Sequence, residues 1–269
     1  MGTSIVIRPN SFQTAMIPPD SPADRVLSGR HVVITGATRG LGRALAIVAA
    51  DQGAELVLMG RDPAKLPPVA DSIRTRTGRT AATIPCDLAR PDRIRTACQS
   101  TLTIAPVLDV LVNNAAPWLP GAFEDVAEED VVNAVAAALT GTILVTKGLL
   151  PGLRRSAAAD IVTIVSTAAL PGQNSGDASA VFHAAKHGQS GFSDKLRMEL
   201  KEHGIRVTAI YPPDFDDTDP LSPEWNKVRE PASLGRLTNR EVVAAILFAI
   251  TAPRVCAYPV IVLYNMWRK

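Results

Sequence analysis

The chain has 269 residues, a formal net charge of +2, and 46% hydrophobic against 20% charged residues. That length holds one large domain or two small ones around a substantial core, and the apolar content excludes disorder throughout. The weak positive charge lacks the basic footprint of a nucleic-acid binder. The three cysteines, Cys86, Cys98 and Cys256, have no CxxC spacing, which argues for a reducing compartment and against a disulfide framework or a metal site.

Residues 1–28 contain Pro9, Pro18, Pro19 and Pro22, which break any periodicity. No basic start leads into an apolar core and a cleavage site, so they read as an extension, mobile or packed on the surface, and not as a secretory signal. A partner-binding arm is the sharper alternative. From Arg30 onward strand and helix patterns alternate. His31–Thr35 is a short β run, and Gly40 to Gln52 has helical spacing with Leu41, Leu45 and Val48 on one stripe. Glu55 to Met59 and Thr80 to Ile84 are strand-like. Asp62 caps a following helix with Pro63 at its first position. Asp92 to Ile104 reads as a helix, Val107 to Val112 as a strand, and Glu124 to Leu150 as mostly helical. The longest apolar stretch, near Val131 to Leu150, is interrupted by Asn133, Thr140 and Lys147, so no membrane span is expected. Asp160 to Ser166 is an apolar strand, Ser179 to His203 a long helix, and Ile205 to Ile210 a strand. Arg240 to Ala252 is a helix and Tyr258 to Leu263 a final strand. Strands alternating with helices, without strict polar alternation, predict a parallel sheet covered on both faces. Right-handed crossovers make it a doubly wound α/β fold, seven strands in one Rossmann domain over residues 29–269. Pro212 to Leu237, rich in Pro, Asp and Ser, is too long for an ordinary loop and reads as a candidate lid.

Between the first strand and helix stands Thr35-Gly36-Ala37-Thr38-Arg39-Gly40-Leu41-Gly42. Glycines at 36, 40 and 42 permit a tight turn and close approach of backbone to a pyrophosphate. The helix behind them points its open N–H groups at that phosphate.

This TGxxxGxG segment resembles the cofactor fingerprint of the short-chain dehydrogenase/reductase family, and the resemblance runs from about Ser28 to the C-terminus. Asp87-Leu88 is similar to the family's adenine-contacting segment. Asn113-Asn114-Ala115-Ala116 is similar to NNAG, with Ala116 in place of Gly. The resemblance implies a nicotinamide dinucleotide held by Gly36, Thr38, Arg39, Gly40, Leu41, Gly42, Asp87, Leu88, Asn113, Ala115, Lys186 and Pro212. Charge then argues for NADP(H). An acid at the end of the second strand binds the ribose diol of NAD, whereas an arginine accommodates the extra phosphate of NADP. Here that strand ends in Gly60-Arg61, and Arg39 adds a second cation.

The family's chemistry uses Ser, Tyr and Lys, with an Asn completing a proton relay. The Tyr hydroxyl acts as general acid, the Lys lowers its pKa and holds the nicotinamide ribose, and the Ser positions the substrate oxygen. Ser166 matches the Ser and Lys186 the Lys. The Tyr of YxxxK falls on Phe182, and the relay Asn, in an NLxG-like segment, falls on Ala138. The stretch from Ser166 to Phe182 is longer than the family's usual spacing, and the loop Pro171 to Asp177, with Gly172 and Gly176, can absorb the excess. A phenyl ring donates no proton at any pH. Three readings stay open: an engineered Tyr-to-Phe replacement, a natural enzyme with another acid, and a degenerate member that binds NADP as a sensor or scaffold. Candidate acids are His183 and Tyr211. An iminium substrate would need no acid, and Asp214 could stabilise its charge.

The expected activity is hydride transfer to or from a small organic carbonyl/alcohol or imine/amine. Phe215, Leu221 and Trp225 in the candidate lid suggest an apolar substrate portion. A cytoplasmic homodimer or homotetramer is expected, joined by helices around Ala134 to Val145 and Gly188 to Leu200. No metal, nucleic acid or membrane partner is expected.

Overall fold

The computed structural model describes residues 25–173, 176–227 and 235–266. Most of the expected extension over 1–28 lies outside them. Seven parallel strands form one sheet: β1 (His31–Thr35), β2 (Glu55–Gly60), β3 (Ala81–Pro85), β4 (Val110–Asn113), β5 (Asp160–Ile164), β6 (Arg206–Tyr211) and β9 (Val260–Val262). Their order is β3-β2-β1-β4-β5-β6-β9. The sheet is the expected Rossmann-like arrangement, and β1 pairs with both β2 and β4, so the strand order reverses beside β1. In open α/β sheets ligands bind outside the carboxyl ends of the strands at that reversal.

Successive strand side chains go to opposite faces. Val32 and Ile34 of β1, Leu56 and Leu58 of β2, and Val110 and Val112 of β4 join one core. It is covered by α1 (Gly40–Asp51), α2 (Pro67–Thr77) and α7 (Asn239–Thr251). Val33, Val57 and Leu111 face the other way, under α3 (Pro91–Ile104), α5 (Gly141–Leu153) and the end of α6 (Ala180–Leu200). Burial on both faces is why these strands read as continuous apolar runs. Ile34, Leu58 and Leu111 are fully buried, each side chain contributing roughly 1.5–3 kcal/mol of transfer free energy.

Three segments differ from the sequence reading. The helix expected from Asp62 is two pieces. Asp62 does cap, accepting from the Ala64 N–H at 3.0 Å, but over a 3₁₀ turn, Pro63–Lys65. Pro67 and Pro68 then start α2, because proline is pre-set for a first helical turn and lacks the N–H that an interior position donates. The helix expected over Glu124 to Leu150 is α4 (Glu128–Val135), a π turn (Ala136–Thr140) and α5. Together Glu128–Leu153 is long and apolar enough to cross a membrane by length and composition. Its polar residues dilute that character without removing it, and in the fold it packs against α3 and α6 with Val145, Leu149 and Leu153 in the core. Finally, the candidate lid is pinned at its ends by a small parallel ladder, β7 (Phe215–Asp216) with β8 (Leu237–Thr238).

At the amino ends of the strands, away from the reversal crevice, Asp160 opens β5 and sits beside Arg206 of β6. Its buried carboxylate accepts from Arg206 Nε at 2.7 Å, Arg30 Nη2 at 2.8 Å and Arg254 Nη1 at 3.2 Å. Arg206 also donates to the carbonyls of Ile250, Ala252, Pro253 and Cys256. This cluster ties α7 and the chain after it to β5 and β6. Burial is the largest influence on the Arg254 guanidinium and, with its arginine neighbours, holds it below the usual value despite Asp160.

Candidate functional site

At the carboxyl ends of the strands, Thr35 links β1 to β4. Its hydroxyl donates to the Val112 carbonyl at 3.3 Å and accepts from the N–H groups of Asn114 at 3.0 Å and Ala115 at 3.1 Å. Asn114 Nδ2 in turn donates to the carbonyls of Thr35 at 2.9 Å and Gly36 at 3.3 Å. The glycine-rich loop is therefore stitched to the end of β4. Gly36 and Gly40 have φ of 68° and 52°, which glycine adopts without strain. A Cβ on Gly42 would lie 2.2 Å from the Gly36 carbonyl oxygen, so glycine there lets α1 approach the loop closely. No side chain caps α1, which leaves its leading N–H groups open to an anion.

Of the sequence-selected residues, Gly36, Thr38, Arg39, Gly40, Leu41 and Gly42 form this loop, and Arg61 follows the neighbouring strand β2. Arg39 and Arg61 are both exposed. A Cβ on Gly60 would stand 2.6 Å from Thr38 Cγ2, so a side chain there would have to displace Thr38. Asp87 accepts from the Ala89 N–H at 3.0 Å and closes its own turn. Leu88 is buried against Gly141. Asn113 is also buried; its Nδ2 donates to Thr146 Oγ1 at 3.0 Å, and its Oδ1 has no partner among the described residues. Its side chain thus faces α5, and it is the next residue, Asn114, that reaches the cleft.

A cleft of about 710 Å³ opens at the reversal point, and Leu41, Ser166, Phe182, Lys186 and Pro212 all line it. Ser166 follows β5 and caps a 3₁₀ turn, its Oγ accepting from the Ala168 N–H at 3.1 Å. The serine O–H stays available as a donor. The Pro212 carbonyl accepts from the Thr167 N–H, which fixes the end of β6 beside Ser166. Phe182 and Lys186 lie one turn apart on α6, whose first turn is capped by Ser179. The Trp118 ring meets Phe182 edge-on at 4.9 Å. Lys186 is 4% exposed. Its Nζ donates to the Ile164 carbonyl at 2.9 Å and to Gln189 Oε1 at 3.0 Å, and lies 5.7 Å from the Phe182 ring centre. Burial pushes its pKa down from 10.5 to about 7. Ala138 is in the π turn, its carbonyl accepting from Gln189 Nε2 at 2.7 Å.

The other acids considered fall elsewhere. His183 does not line the cleft, and Tyr211 is buried with its hydroxyl 2.7 Å from Ser190 Oγ. The thiols of Cys86 and Cys98 are pushed up by burial to about 12 and about 11, away from nucleophile chemistry. Asp214 does line the cleft, ion-paired with Arg236, which also binds Asp216. Asp219 pairs with Arg43 of α1 at 2.8 Å. Burial raises the Asp219 carboxyl, but hydrogen bonds from Arg43 and the Leu221 N–H outweigh it and hold the group below its usual value. The acidic stretch is thus partly ion-paired to the fold. The apolar residues expected to meet substrate from this segment need correction. Phe215 lines the cleft, but Trp225 is 2% exposed in the core beneath α1 and α7, and Leu221 faces solvent. A large aromatic in a loop gains more by filling the core than by waiting at a cleft.

The family model described as short chain dehydrogenase matches residues 30–228. The chain belongs to the short-chain dehydrogenase family. The chain is 36% identical over 186 residues to dehydrogenase/reductase SDR family member 7B of Bos taurus, covering 67% of its own length and 56% of the bovine protein. It is 30% identical over 228 residues to a 3-dehydrosphinganine reductase of Arabidopsis thaliana, covering 83% of this chain and 67% of that protein. The solved structure of a metagenomic short-chain oxidoreductase in complex with NADP superposes with a TM-score of 0.73 at 26% identity, over 88% of this chain and 98% of that one.

Sequence reasoning did not single out Gln189, which holds Lys186 Nζ, or Trp118 and Tyr264, which line the cleft. Gln189 lies three residues after Lys186 on the same helical face, a spacing that could have flagged it. Trp118 and Tyr264 reach the cleft from loops, where no periodicity marks a side chain's direction.

Proposed function

We propose that the protein is an NADP(H)-dependent oxidoreductase that transfers hydride to or from a carbonyl/alcohol or imine/amine whose neighbouring portion is apolar. One observation carries this reading: Ser166, Phe182 and Lys186 line a single cleft that also receives Leu41 from the glycine-rich loop. The residues present fit the cofactor. The uncapped start of α1 suits a pyrophosphate, the crowded Gly60 leaves no carboxylate to oppose a 2′-phosphate, and Arg39 and Arg61 have no ion-pair partner among the described residues. A bound NADPH would supply the hydride. In this reading Ser166 donates its O–H to the substrate oxygen, Lys186 holds the nicotinamide ribose, and Gly36, Thr38, Gly40, Leu41, Gly42 and Pro212 contour the dinucleotide. Asp87, Leu88, Asn113 and Ala115 support that contour from behind. Trp118, Phe182 and Phe215 give the cleft an apolar wall, and the reductase relative from Arabidopsis thaliana, named for a 3-dehydrosphinganine substrate, is consistent with a ketone on an alkyl chain.

We read Phe182 as standing at the family's tyrosine position and Ala138 at its asparagine position. The test is Phe182→Tyr. It should raise ketone reduction, by up to about 10²–10⁴-fold, the worth of a positioned general acid where no other group donates, and leave imine reduction and cofactor affinity nearly unchanged. A second reading, a nucleotide-binding protein without turnover, is favoured by the missing hydroxyl at Phe182. It wins where both the natural protein and Phe182→Tyr bind NADPH but reduce neither carbonyls nor imines.

Val132 on α4 and Met198 on α6 are 66% and 70% exposed, and these two helices pack side by side. We assign this face to a homodimer or homotetramer. Light scattering at micromolar concentration should give a multiple of the 28.5 kDa chain mass; a monomer mass counts against it.

A further inference from the structure

A cleft that reduces a carbonyl must deliver a proton to oxygen, and the ring of Phe182 holds none to give. Five other side chains with a hydroxyl or a carboxylate line it: Ser166, Thr167, Asp177, Asp214 and Tyr264. Asp214 is engaged by Arg236. A serine or threonine hydroxyl can relay a proton but does not store one near neutral pH. Tyr264 is 54% exposed and reaches the cleft from the chain after β9. Asp177 is exposed as well, which leaves the amine of Lys186 as the buried ionisable group of the cleft among the described residues.

Its surroundings are unlike those of a structural lysine. Nζ has two fixed acceptors, the Ile164 carbonyl and Gln189 Oε1. Gln189 cannot turn away, because its Nε2 donates to the Ala138 carbonyl at 2.7 Å and to Thr142 Oγ1 at 3.1 Å. Both acceptors are neutral, and no carboxylate makes an ion pair with Lys186 among the described residues. The elements packed around it present Ala138 and Thr142 from the π turn and α5, Ile164 from β5, Thr167 from the 3₁₀ turn and Tyr211 from β6. The two histidines of its own helix, His183 and His187, are bonded to each other through the His183 carbonyl. The charged groups Asp177 and Asp214 stand at the cleft wall. An ammonium has three N–H bonds and an amine two. Two acceptors satisfy the amine fully and leave the ammonium one N–H without an acceptor among the described residues.

We propose that Lys186, fixed by Gln189 and the Ile164 carbonyl, is itself the proton donor and acceptor of this cleft, taking the part that position 182 cannot play. The proposal rests on the reductase reading above. The reductant is a reduced nicotinamide dinucleotide. As a C–H bond of the reduced dinucleotide breaks, oxidising it, and its hydride forms the new C–H bond at the carbonyl carbon, the C=O π pair moves to oxygen. There an O–H bond forms while one N–H bond of the Lys186 ammonium breaks, and the neutral amine regains a proton from water. In the reverse direction the amine takes the alcohol proton. The lowered pKa of about 7 keeps both forms populated near neutrality, where general acid–base catalysis is most efficient. Gln189 is a positioning residue that acts through Lys186.

The experiment follows the Cε and Nζ resonances of labelled lysine in the full chain without cofactor, assigned with Lys186→Met, alongside the pH profile of ketone reduction. Expected are a midpoint near 7 in the natural protein and, in Gln189→Glu, a rise of about 1–3 pH units from the added carboxylate. Gln189→Leu, which removes an acceptor for the charged form, should move it the other way. The alkaline fall of reduction should shift with the midpoint in each protein, and in Tyr264→Phe that fall should stay at the pH of the natural protein. A Lys186 midpoint near the ordinary 10.5, with reduction intact, overturns the proposal alone. So does a pH profile that stays put while the midpoint moves, or an alkaline fall that disappears in Tyr264→Phe. A protein that binds NADPH, shows the low midpoint and reduces nothing overturns the reductase reading, and the donor role with it.

Discussion

One strand, β5, carries buried cations at its two ends, and they are treated in opposite ways. At its start Asp160 holds Arg206, Arg30 and Arg254. At its end, about 13 Å away at 3.3 Å per residue, the Ile164 carbonyl holds Lys186. Arg206 is paired with a carboxylate and spends its other N–H groups on four carbonyls, so its charge is compensated inside the protein. Lys186 meets only neutral acceptors, so burial pushes the amine toward its uncharged form. A buried ion pair that is fully hydrogen-bonded fixes structure, whereas a buried cation without a counter-charge is held at a cost in stability. The amino end of the sheet is built to hold the chain together. The carboxyl end keeps a group that can change its charge, at the place where a ligand arrives.

The sharpest way to break this contrast is to remove the counter-charge at the first end. Asp160→Ala leaves three arginines around an empty position and should cost about 3–5 kcal/mol, read from chemical denaturation. A loss no larger than that of an exposed ion pair would show the cluster to be loosely solvated.

The second end predicts a pH dependence of stability. Between about 7 and 10.5 the unfolded chain holds a proton on Lys186 that the folded chain does not. Stability contributed at this site therefore rises with pH through that window and is flat on either side. Lys186→Met should remove a rise of up to about 1.4 kcal/mol per pH unit, visible as converging or diverging unfolding curves across the window. A constant difference between the two proteins would mean that the lysine stays charged when folded.

Another two cations, Arg39 and Arg61, are exposed and free of ion pairs among the described residues. If they wait for a phosphate, Arg61→Ala should weaken NADPH binding by about 1.5–3 kcal/mol, the worth of one charged hydrogen bond. NADH binding should hardly change. Equal losses for both cofactors would return these arginines to ordinary solvated surface.

The sequence by itself determined the alternating elements, because each strand and helix is marked by a local period of burial: Val32 to Ile34 toward two cores, Leu41, Leu45 and Val48 toward one. It also determined the glycine-rich turn, since only glycine suits the backbone at Gly36 and Gly40 and the close packing at Gly42. The tertiary structure alone decided which polar atoms meet. Asp160 draws its partners from residues 30, 206 and 254, and no window of sequence contains them together. Gln189 shares a helical face with Lys186, a relation visible in the spacing, yet what locks it is a carbonyl and a hydroxyl about 50 residues earlier, at Ala138 and Thr142. Asn113 and Asn114 are adjacent in the chain, and the sheet sends one inward to α5 and the other to the glycine-rich loop. Trp225 reads as a cleft residue beside Phe215 until the core beneath α1 and α7 claims it. Local burial periods are written along one element, whereas long-range hydrogen bonds depend on the order in which the strands are laid side by side.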